Sequence, residues 1–474
     1  MRTEIAGIIA GLAICAGAQC PRGSYAFTHA NVITVSGSRL SGANVVVCDG
    51  VITAVGADAA VPSGAQVVDA SGMTIYPGVV DGFSQYGLPA PAANAGRGGA
   101  GGGRGAGGAQ AIAAQNAEIA GTLDGIAAND PRRYIDPEAA GVESDRMTAE
   151  LLDPPSTLSA VRDSGILASL VAPADGIFKG EAAVVNLMGP DAAAMLVNPH
   201  AGEVMELAPA GRGGYPSSTM GAVAVYRQTL LDAERLRTEI GIYAKAGEKG
   251  LPPPNYDPKT MTLLPLLAHQ QAAYFVASDW DSILRALALA KEFDLVPTII
   301  GATEAQKAIP QLQAAHAGVL VSLAFAPGGG GRGGFGGGRG GASPEMAAEQ
   351  RAAAETAPAE LAKAGIAFGF TTQGMNANQN VFAQAKLAMG KGLSEADAWK
   401  ALTLNTAQAI GAGSQLGSIE PGKIADLVVA SGDPLGEETV TNKWIMVAGK
   451  LLPVHPAPAA NGGRGRGGRN GEGQ

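Results

Sequence analysis

The sequence predicts an α/β protein, a distorted (β/α)8 TIM-like barrel with a small β-sandwich domain built from both ends of the chain. Three observations lead to this prediction. Both ends alternate β-prone runs with turns, and the long middle alternates apolar runs with helical stretches. The chain of 474 residues, 46% of them apolar and 16% charged, is also long enough to bury one large core and one small core.

The β-sandwich is predicted from two similar stretches at opposite ends of the chain. Near the first end, Asp49-Gly50 separates VVVC from VITAV, which is the signal of a two-residue hairpin. Near the other end, ADLVVASGDP and KWIMVAGKLL show the same order of strand, turn and strand. We therefore assign residues 24–76 and 413–456 to one composite domain.

The middle of the chain, residues 77–412, has the pattern of a parallel α/β barrel. Apolar residues 283, 286, 287 and 290 recur at helical spacing, so one helix face would pack on the sheet. Seven strands can be recognised, which fits eight with one obscured. The predicted strands are Ile75–Phe83, Gly165–Ala172, Ala183–Leu187, Ala273–Ser278, Leu295–Ile300, Gly318–Ala324 and Ile366–Thr371. The clearest predicted helices are Ala222–Ile240, Ser282–Phe293 and Ser394–Ile410.

The first residues resemble a cleavable signal peptide. An apolar run over residues 5–18 ends in Ala16-Gly17-Ala18, which predicts removal of residues 1–18 and a periplasmic or secreted protein. A buried N-terminal helix is the alternative. Cys20 and Cys48 would remain after cleavage and could pair, or Cys20 could carry a lipid, and the sequence does not decide between them. No other stretch is long and apolar enough to span a membrane.

Three tracts rich in glycine and arginine interrupt the chain. They cover residues 95–108, 328–341 and 462–473, and they lack the apolar surface that would offset the entropy lost on ordering. We predict two flexible insertions in the barrel and a disordered tail over residues 457–474. Binding of single-stranded RNA is the alternative function of such tracts. The net charge of −9 argues against nucleic acid as a partner.

Two motifs resemble the two ends of an amidohydrolase-superfamily hydrolase. Residues 77–85 read PGVVDGFSQ and residues 417–429 read GSIEPGKIADLVV. The segment GIFKGEAAVVNLMG looks like an exported bacterial subgroup related to imidazolonepropionase-like amidohydrolases. The resemblance covers roughly residues 25–452. It implies hydrolysis of carbon–nitrogen bonds other than peptide bonds, with related members acting on cyclic amides or small peptides.

The residues that bind metal in the family are replaced in this sequence. The family motif continues as D-x-H-x-H, and its histidines hold Zn²⁺ or a similar ion, whereas this chain has Phe83 and Gln85. Residues 273–305 and 364–374 resemble segments that carry two further histidines and an aspartate. The matching positions are Val276, Ile300 and Gln373. The resemblance therefore implies that all five ligand positions are vacated, and we predict no metal cofactor.

Four other polar residues are possible neighbours of the pocket: Lys179, Glu181, Glu304 and Thr372. Lys179 could in principle be a carbamylated lysine that bridges two metals, although its partner histidines are missing. The five histidines make no H-x-H or H-x-x-x-H pair, and His269 precedes a strand predicted to end at the site.

The sequence leaves two main functions open. The first is an exported pseudo-hydrolase that binds a small ligand in the barrel mouth or partners an active paralogue, with homo-oligomers possible. The second is an active amidohydrolase that uses unrecognised residues on a cyclic amide or small peptide. A protein that interacts only through its glycine tracts is a third, minor alternative.

Overall fold

The computed structural model describes residues 20, 23–89, 141–155, 158–209, 216–247, 250–325, 344–376, 379–452 and 454–455. The predicted signal peptide, the glycine–arginine insertions and the tail lie outside these residues. In the described part of the chain, no helix has the length and apolar character needed to cross a membrane.

Strands from both ends of the chain form one hydrogen-bonded sheet. Its order is β16–β15–β14–β5–β1–β2–β3, and β4 also pairs with β1. Phe27, Ile52, Ile75 and Val429 belong to the apolar cluster that these strands enclose. The strands are β1 (Ser24–Val32), β2 (Leu40–Cys48), β3 (Val51–Gly56), β4 (Gln66–Asp69), β5 (Thr74–Pro77), β14 (Leu427–Ala430), β15 (Asn442–Val447) and β16 (Lys450–Leu452).

The middle of the chain forms the second eight-stranded sheet, in the chain order β6 to β13. Most neighbours are parallel, but β8 runs antiparallel to both β7 and β9, which is where the barrel departs from regular geometry. The strands are β6 (Val79–Ser84), β7 (Ile166–Val171), β8 (Phe178–Asn186), β9 (Leu196–Glu206), β10 (Ala272–Ala277), β11 (Pro297–Gly301), β12 (Gly318–Ser322) and β13 (Phe368–Thr371).

The two edge strands of this sheet, β6 and β13, lie against each other. The Thr371 hydroxyl donates to the Phe83 carbonyl oxygen at 3.0 Å, and the Thr372 amide donates to Asp81 Oδ1 at 2.8 Å. The sheet therefore curves round into a TIM-like barrel, and side-chain hydrogen bonds join its edges.

Helices cover the outer face of the barrel. The longest, α4, begins after Ser218, whose hydroxyl accepts from the Gly221 amide at 3.2 Å, and ends at Gly247 in the left-handed conformation. Its Tyr226 stacks on Phe178 of β8 with ring centroids 5.4 Å apart. The helices are α1 (Thr148–Leu151), α2 (Leu158–Asp163), α3 (Ala192–Met195), α4 (Thr219–Ala246), α5 (Pro258–Met261), α6 (Leu264–Leu267), α7 (Trp280–Glu292), a 3₁₀ turn (Ala305–Ala308), α8 (Ile309–Ala314), α9 (Pro344–Lys363), α10 (Val381–Met389), α11 (Glu395–Leu402) and α12 (Leu404–Ala409).

The predicted strand Ile75–Phe83 is in fact two strands in different sheets. The chain passes from β5 to β6 at Gly78, whose amide donates to the Asp426 carbonyl oxygen at 2.9 Å. A Cβ at Gly78 would lie 2.5 Å from the Leu167 side chain, so only glycine fits this crossing. The continuous apolar run concealed the boundary, because periodicity does not record which sheet a strand joins.

Three other elements differ from the sequence prediction. The obscured eighth strand is β9, which contains a proline and a glycine and so lacked a strand signal. The predicted strand Ala183–Leu187 extends back to Phe178. The predicted helix Ser394–Ile410 breaks at Thr403, where φ is −136° and ψ is −86°.

A disulfide joins a residue just before β1 to the last residue of β2. Cys20 and Cys48 are bonded, with their Cα atoms 5.4 Å apart. The pairing that the sequence left open is therefore present in this structure.

Candidate functional site

The barrel mouth is the end of the barrel where its parallel strands finish. We define it by the last residues of five strands, namely Ser84, Glu206, Ala277, Gly301 and Thr371. Barrel enzymes carry their active sites at this face, because the loops that follow the strands converge there. The predicted site residues are therefore described by their place around this mouth.

Phe83, Val276 and Ile300 come together in one apolar cluster. Phe83 is 3% exposed, Ile300 is fully buried, and the partly buried Val276 packs against the same group. Val276 and Ile300 are also register neighbours on β10 and β11. Three of the five vacated positions thus form a continuous apolar wall inside the barrel.

Gln373 lies beside Gly301, the residue that follows Ile300, whereas Gln85 is exposed. The Gln373 Oε1 atom is buried without a hydrogen-bond partner among the described residues. It would lie 3.1 Å from a Cβ built on Gly301, where φ is +99°, so glycine leaves room for the amide. Gln85 is exposed just beyond the end of β6. Gln373 is therefore the predicted position with a buried hydrogen-bonding atom still to satisfy.

Asp81 is a buried acid at the mouth that sequence reasoning used only to align the motif. Its carboxylate accepts from both the amide and the hydroxyl of Thr372 and from the Phe83 amide. Burial raises the pKa of Asp81, and the bonds from Thr372 oppose that shift. The Tyr86 hydroxyl lies 3.2 Å from Thr372 Oγ1. Asp81 and Thr372 therefore join the edges of the barrel.

Lys179 makes an ion pair at the mouth with Glu206, a residue that the sequence did not single out. Lys179 Nζ lies 2.8 Å from Glu206 Oε2 and also donates to the Ala174 carbonyl oxygen. Lys179 is the extra residue of a β-bulge between Phe178 and Gly180, and bulges of this kind redirect a side chain. Glu206 is in register with Val276. The ion pair therefore adjoins the apolar wall.

Glu181 belongs to a separate network on the side of the barrel. Its Oε2 lies 2.9 Å from His200 Nδ1, and its other oxygen accepts from Gln271. Glu203 is its register partner on β9 and accepts from the Gly180 amide at 3.1 Å. Burial raises the pKa of Glu203 well above the ordinary value, and the nearby Glu181 adds to the shift.

Glu304 lies at the rim of the mouth, and both of its carboxylate oxygens accept hydrogen bonds from neighbouring groups. Its carboxylate accepts from the Trp280 amide at 2.9 Å and from Lys307 Nζ at 2.7 Å. Trp280 opens helix α7, so a carboxylate here satisfies an amide of the first turn.

A family sequence model and a solved structure show what this chain is similar to. Residues 344–452 match the sequence model of the amidohydrolase family. The crystal structure of an amidohydrolase from Thermotoga maritima is similar over 90% of this chain and 99% of that chain, with a TM-score of 0.69 and 22% identity. The chain is therefore similar in fold to an amidohydrolase, and its last quarter also matches the family's sequence model.

Other similar structures have lower TM-scores. A putative prolidase from Bifidobacterium longum is 17% identical, with 91% of this chain and 94% of that chain covered and a TM-score of 0.48. A Xaa-Pro dipeptidase with bound methionine is 13% identical, with 91% and 100% covered and a TM-score of 0.48. Among curated proteins, none matches the sequence.

The histidines of this protein lie away from the mouth. His269, the one nearest a barrel strand, precedes β10 and is therefore at the opposite end of that strand, 3.5 Å from Asp294. Three others pair with acids: His29 with Asp69, His200 with Glu181 and His455 with Asp163. His316 precedes β12.

The divalent metal of the family motif does not fit the residues at this mouth. Phenyl and alkyl side chains have no lone pairs to donate, and Gln373 offers a single amide oxygen. Across the described residues, no three His, Cys, Asp or Glu side chains are grouped so that they could hold a metal ion. We therefore derive no reaction step through a metal for this chain.

Proposed function

We propose that this protein is a pseudo-hydrolase that binds a small organic ligand at the barrel mouth and has lost the metal-dependent hydrolysis of its superfamily. The single observation that carries the proposal is the apolar cluster of Phe83, Val276 and Ile300 at positions where the family motif places histidines. The protein keeps the fold while the chemistry of the site has changed.

The physical argument rests on solvation. A divalent ion against hydrocarbon walls would lose its water without gaining lone pairs in return, which is strongly unfavourable. An organic ligand would instead gain about 25 cal/mol for each Å² of apolar surface removed from water. The unpartnered Gln373 Oε1 offers one hydrogen bond that would orient such a ligand.

Export and partnership belong to the same proposal. The apolar run of residues 5–18 and the Cys20–Cys48 disulfide both support an oxidising compartment outside the cytoplasm. The same proposal includes pairing with an active paralogue or with a second copy of this chain, both of which would share its fold. A small ligand remains the first expectation, because Val276 and Gln373 lie at the ends of barrel strands, where barrel proteins bind their ligands.

The proposal is tested by elemental analysis of the purified protein after growth with zinc, manganese and iron. We expect far less than one metal ion per chain after dialysis. One firmly bound ion per chain that also persists in His200→Ala would overturn the proposal and favour the active amidohydrolase that acts on a cyclic amide or small peptide.

The His200→Ala variant controls for metal held elsewhere. His200 is exposed and lies 2.9 Å from Glu181, so this pair can retain adventitious metal on the side of the barrel. Metal that disappears in His200→Ala leaves the proposal standing, whereas metal that persists at one ion per chain counts against it.

A further inference from the structure

A buried lysine and a half-exposed glutamate form an unequal ion pair at the barrel mouth. The side chain of Lys179 is 3% exposed and that of Glu206 is 33% exposed. Glu206 is the register partner of Val276, which lies in the apolar wall. A positive group therefore sits beside the positions where the family motif places its metal ligands.

Lys179 has hydrogen-bonding capacity left for a ligand. A lysine ammonium has three N–H donors. One lies toward Glu206 Oε2 and one toward the Ala174 carbonyl oxygen. No third acceptor is found in the parts of the chain that the structure describes. Removing an ammonium from water costs several kcal/mol unless it is paired, and in this structure the Glu206 carboxylate is the partner anion.

We propose that the Lys179 ammonium is a built-in cation that selects a small anionic ligand, a carboxylate with an apolar body, at this mouth. The inference rests on the proposed function, since it names the ligand class of the same site. The apolar body would lie on Val276, the partly buried residue of the wall and the register neighbour of Glu206. The carboxylate would accept from Lys179 at the edge of that wall.

Glu206 already binds the Lys179 ammonium and would compete with an incoming carboxylate for it. Because its side chain is far more exposed than Lys179, it regains water more readily when it is displaced. An incoming carboxylate either shares the ammonium with Glu206 or replaces it, and in both cases the negative charge of Glu206 opposes binding. Neutralising Glu206 should therefore strengthen the binding of an anion, which a purely structural ion pair would not predict.

The test compares two probes of the same shape, benzoate and its neutral counterpart benzamide, by isothermal titration of the full-length protein. We expect the wild type to prefer benzoate. Glu206→Gln should bind benzoate about tenfold more tightly, because one charge repulsion is removed. Lys179→Met should lose the preference for benzoate, whereas Lys179→Arg should retain it.

Lys307→Met is the matched control. Lys307 forms an ion pair of similar length with Glu304 at the rim, 2.7 Å against 2.8 Å, but the Lys307 side chain is 49% exposed and that of Lys179 is 3% exposed. Its loss should leave the benzoate preference unchanged. Circular dichroism and thermal unfolding confirm that each variant is folded, and Lys179→Arg supplies a second variant if Lys179→Met does not fold.

Three results would overturn the inference. They are a benzoate preference that survives in Lys179→Met, weaker benzoate binding in Glu206→Gln, and no binding of benzoate to Glu206→Gln at millimolar concentration. Equal binding of both probes would refute anion selection and leave the pseudo-hydrolase proposal intact. Firmly bound metal at the mouth would instead refute the pseudo-hydrolase.

Discussion

Buried carboxylates in this chain hold backbone turns and strand edges. Asp81 accepts three hydrogen bonds at the closure of the barrel. Asp426 accepts from the Ala448 amide at 2.7 Å, while its Oδ2 is buried without a hydrogen-bond partner among the described residues. An acid with one satisfied and one unsatisfied oxygen is destabilised when charged, because burial penalises the ionised form.

The stability of the β-domain should depend on pH through Asp426. Burial raises the pKa of Asp426 to about 7. A carboxyl whose pKa is raised by folding contributes stability below its unfolded pKa, and that contribution is lost as the pH rises through about 7. Asp426→Asn keeps the Oδ1 acceptor and removes the charge. We expect this variant to be more stable than the wild type at about pH 8, by on the order of 2–4 kcal/mol.

Guanidinium denaturation at about pH 4 and about pH 8 measures this difference. Asp58→Asn, in the exposed turn after β3, is the control and should change the stability little at either pH. An equal effect of Asp426→Asn at both pH values would contradict the assignment of the effect to ionisation.

The barrel is closed by side chains where its edge strands meet. Asp81 of β6 accepts from Thr372, which follows β13, and Thr371 donates back to Phe83 of β6. Edge strands left open would expose unpaired backbone groups. This junction also sets where Gln373 lies, because that residue directly follows Thr372.

Thr372→Val should weaken this closure. The substitution keeps the shape and the backbone amide but removes the hydroxyl that donates to Asp81 and contacts Tyr86. Leaving a buried carboxylate with one donor fewer should lower the free energy of unfolding by about 1–3 kcal/mol, as measured by urea denaturation.

Thr238→Val on helix α4 removes an exposed hydroxyl of the same kind and serves as the comparison. If both valine variants lose the same stability, the junction between β6 and β13 does not depend on the Thr372 hydroxyl.

The disulfide links the start of the described chain to the end of β2. Cys20 and Cys48 are 28 residues apart in the sequence, so the bond restricts the unfolded chain. Cys48 lies at the tip of β2, where the hairpin turns into β3. The β-domain contains strands from both ends of the chain. The disulfide cross-links it next to its first strand.

Replacing both cysteines with serine should lower the free energy of unfolding by about 3–4 kcal/mol, as loop-closure entropy for this separation predicts. Thermal unfolding of the oxidised protein against the double variant measures the loss. The reduced wild type should behave like the variant. Identical transitions in all three samples would show that the bond does not stabilise the fold.

The sequence alone predicted the resemblance to amidohydrolases, the mixture of strands and helices, and the residues at the vacated positions. It did so because the proline, glycine and aspartate of the motif at 77–81 can be matched by type and spacing, whereas the contacts that require Gly78 and Asp81 are visible only in the fold. The substitutions Phe83, Val276 and Ile300 could likewise be read by matching short motifs.

Only the tertiary structure decided what surrounds those positions. The reversed direction of β8, the split at Gly78 and the pairing of Lys179 with Glu206 depend on contacts between residues distant in sequence. Side-chain periodicity gives the face of a strand but not its direction or its neighbour. The sequence therefore named the residues of the apolar wall, and the fold placed an ammonium beside it.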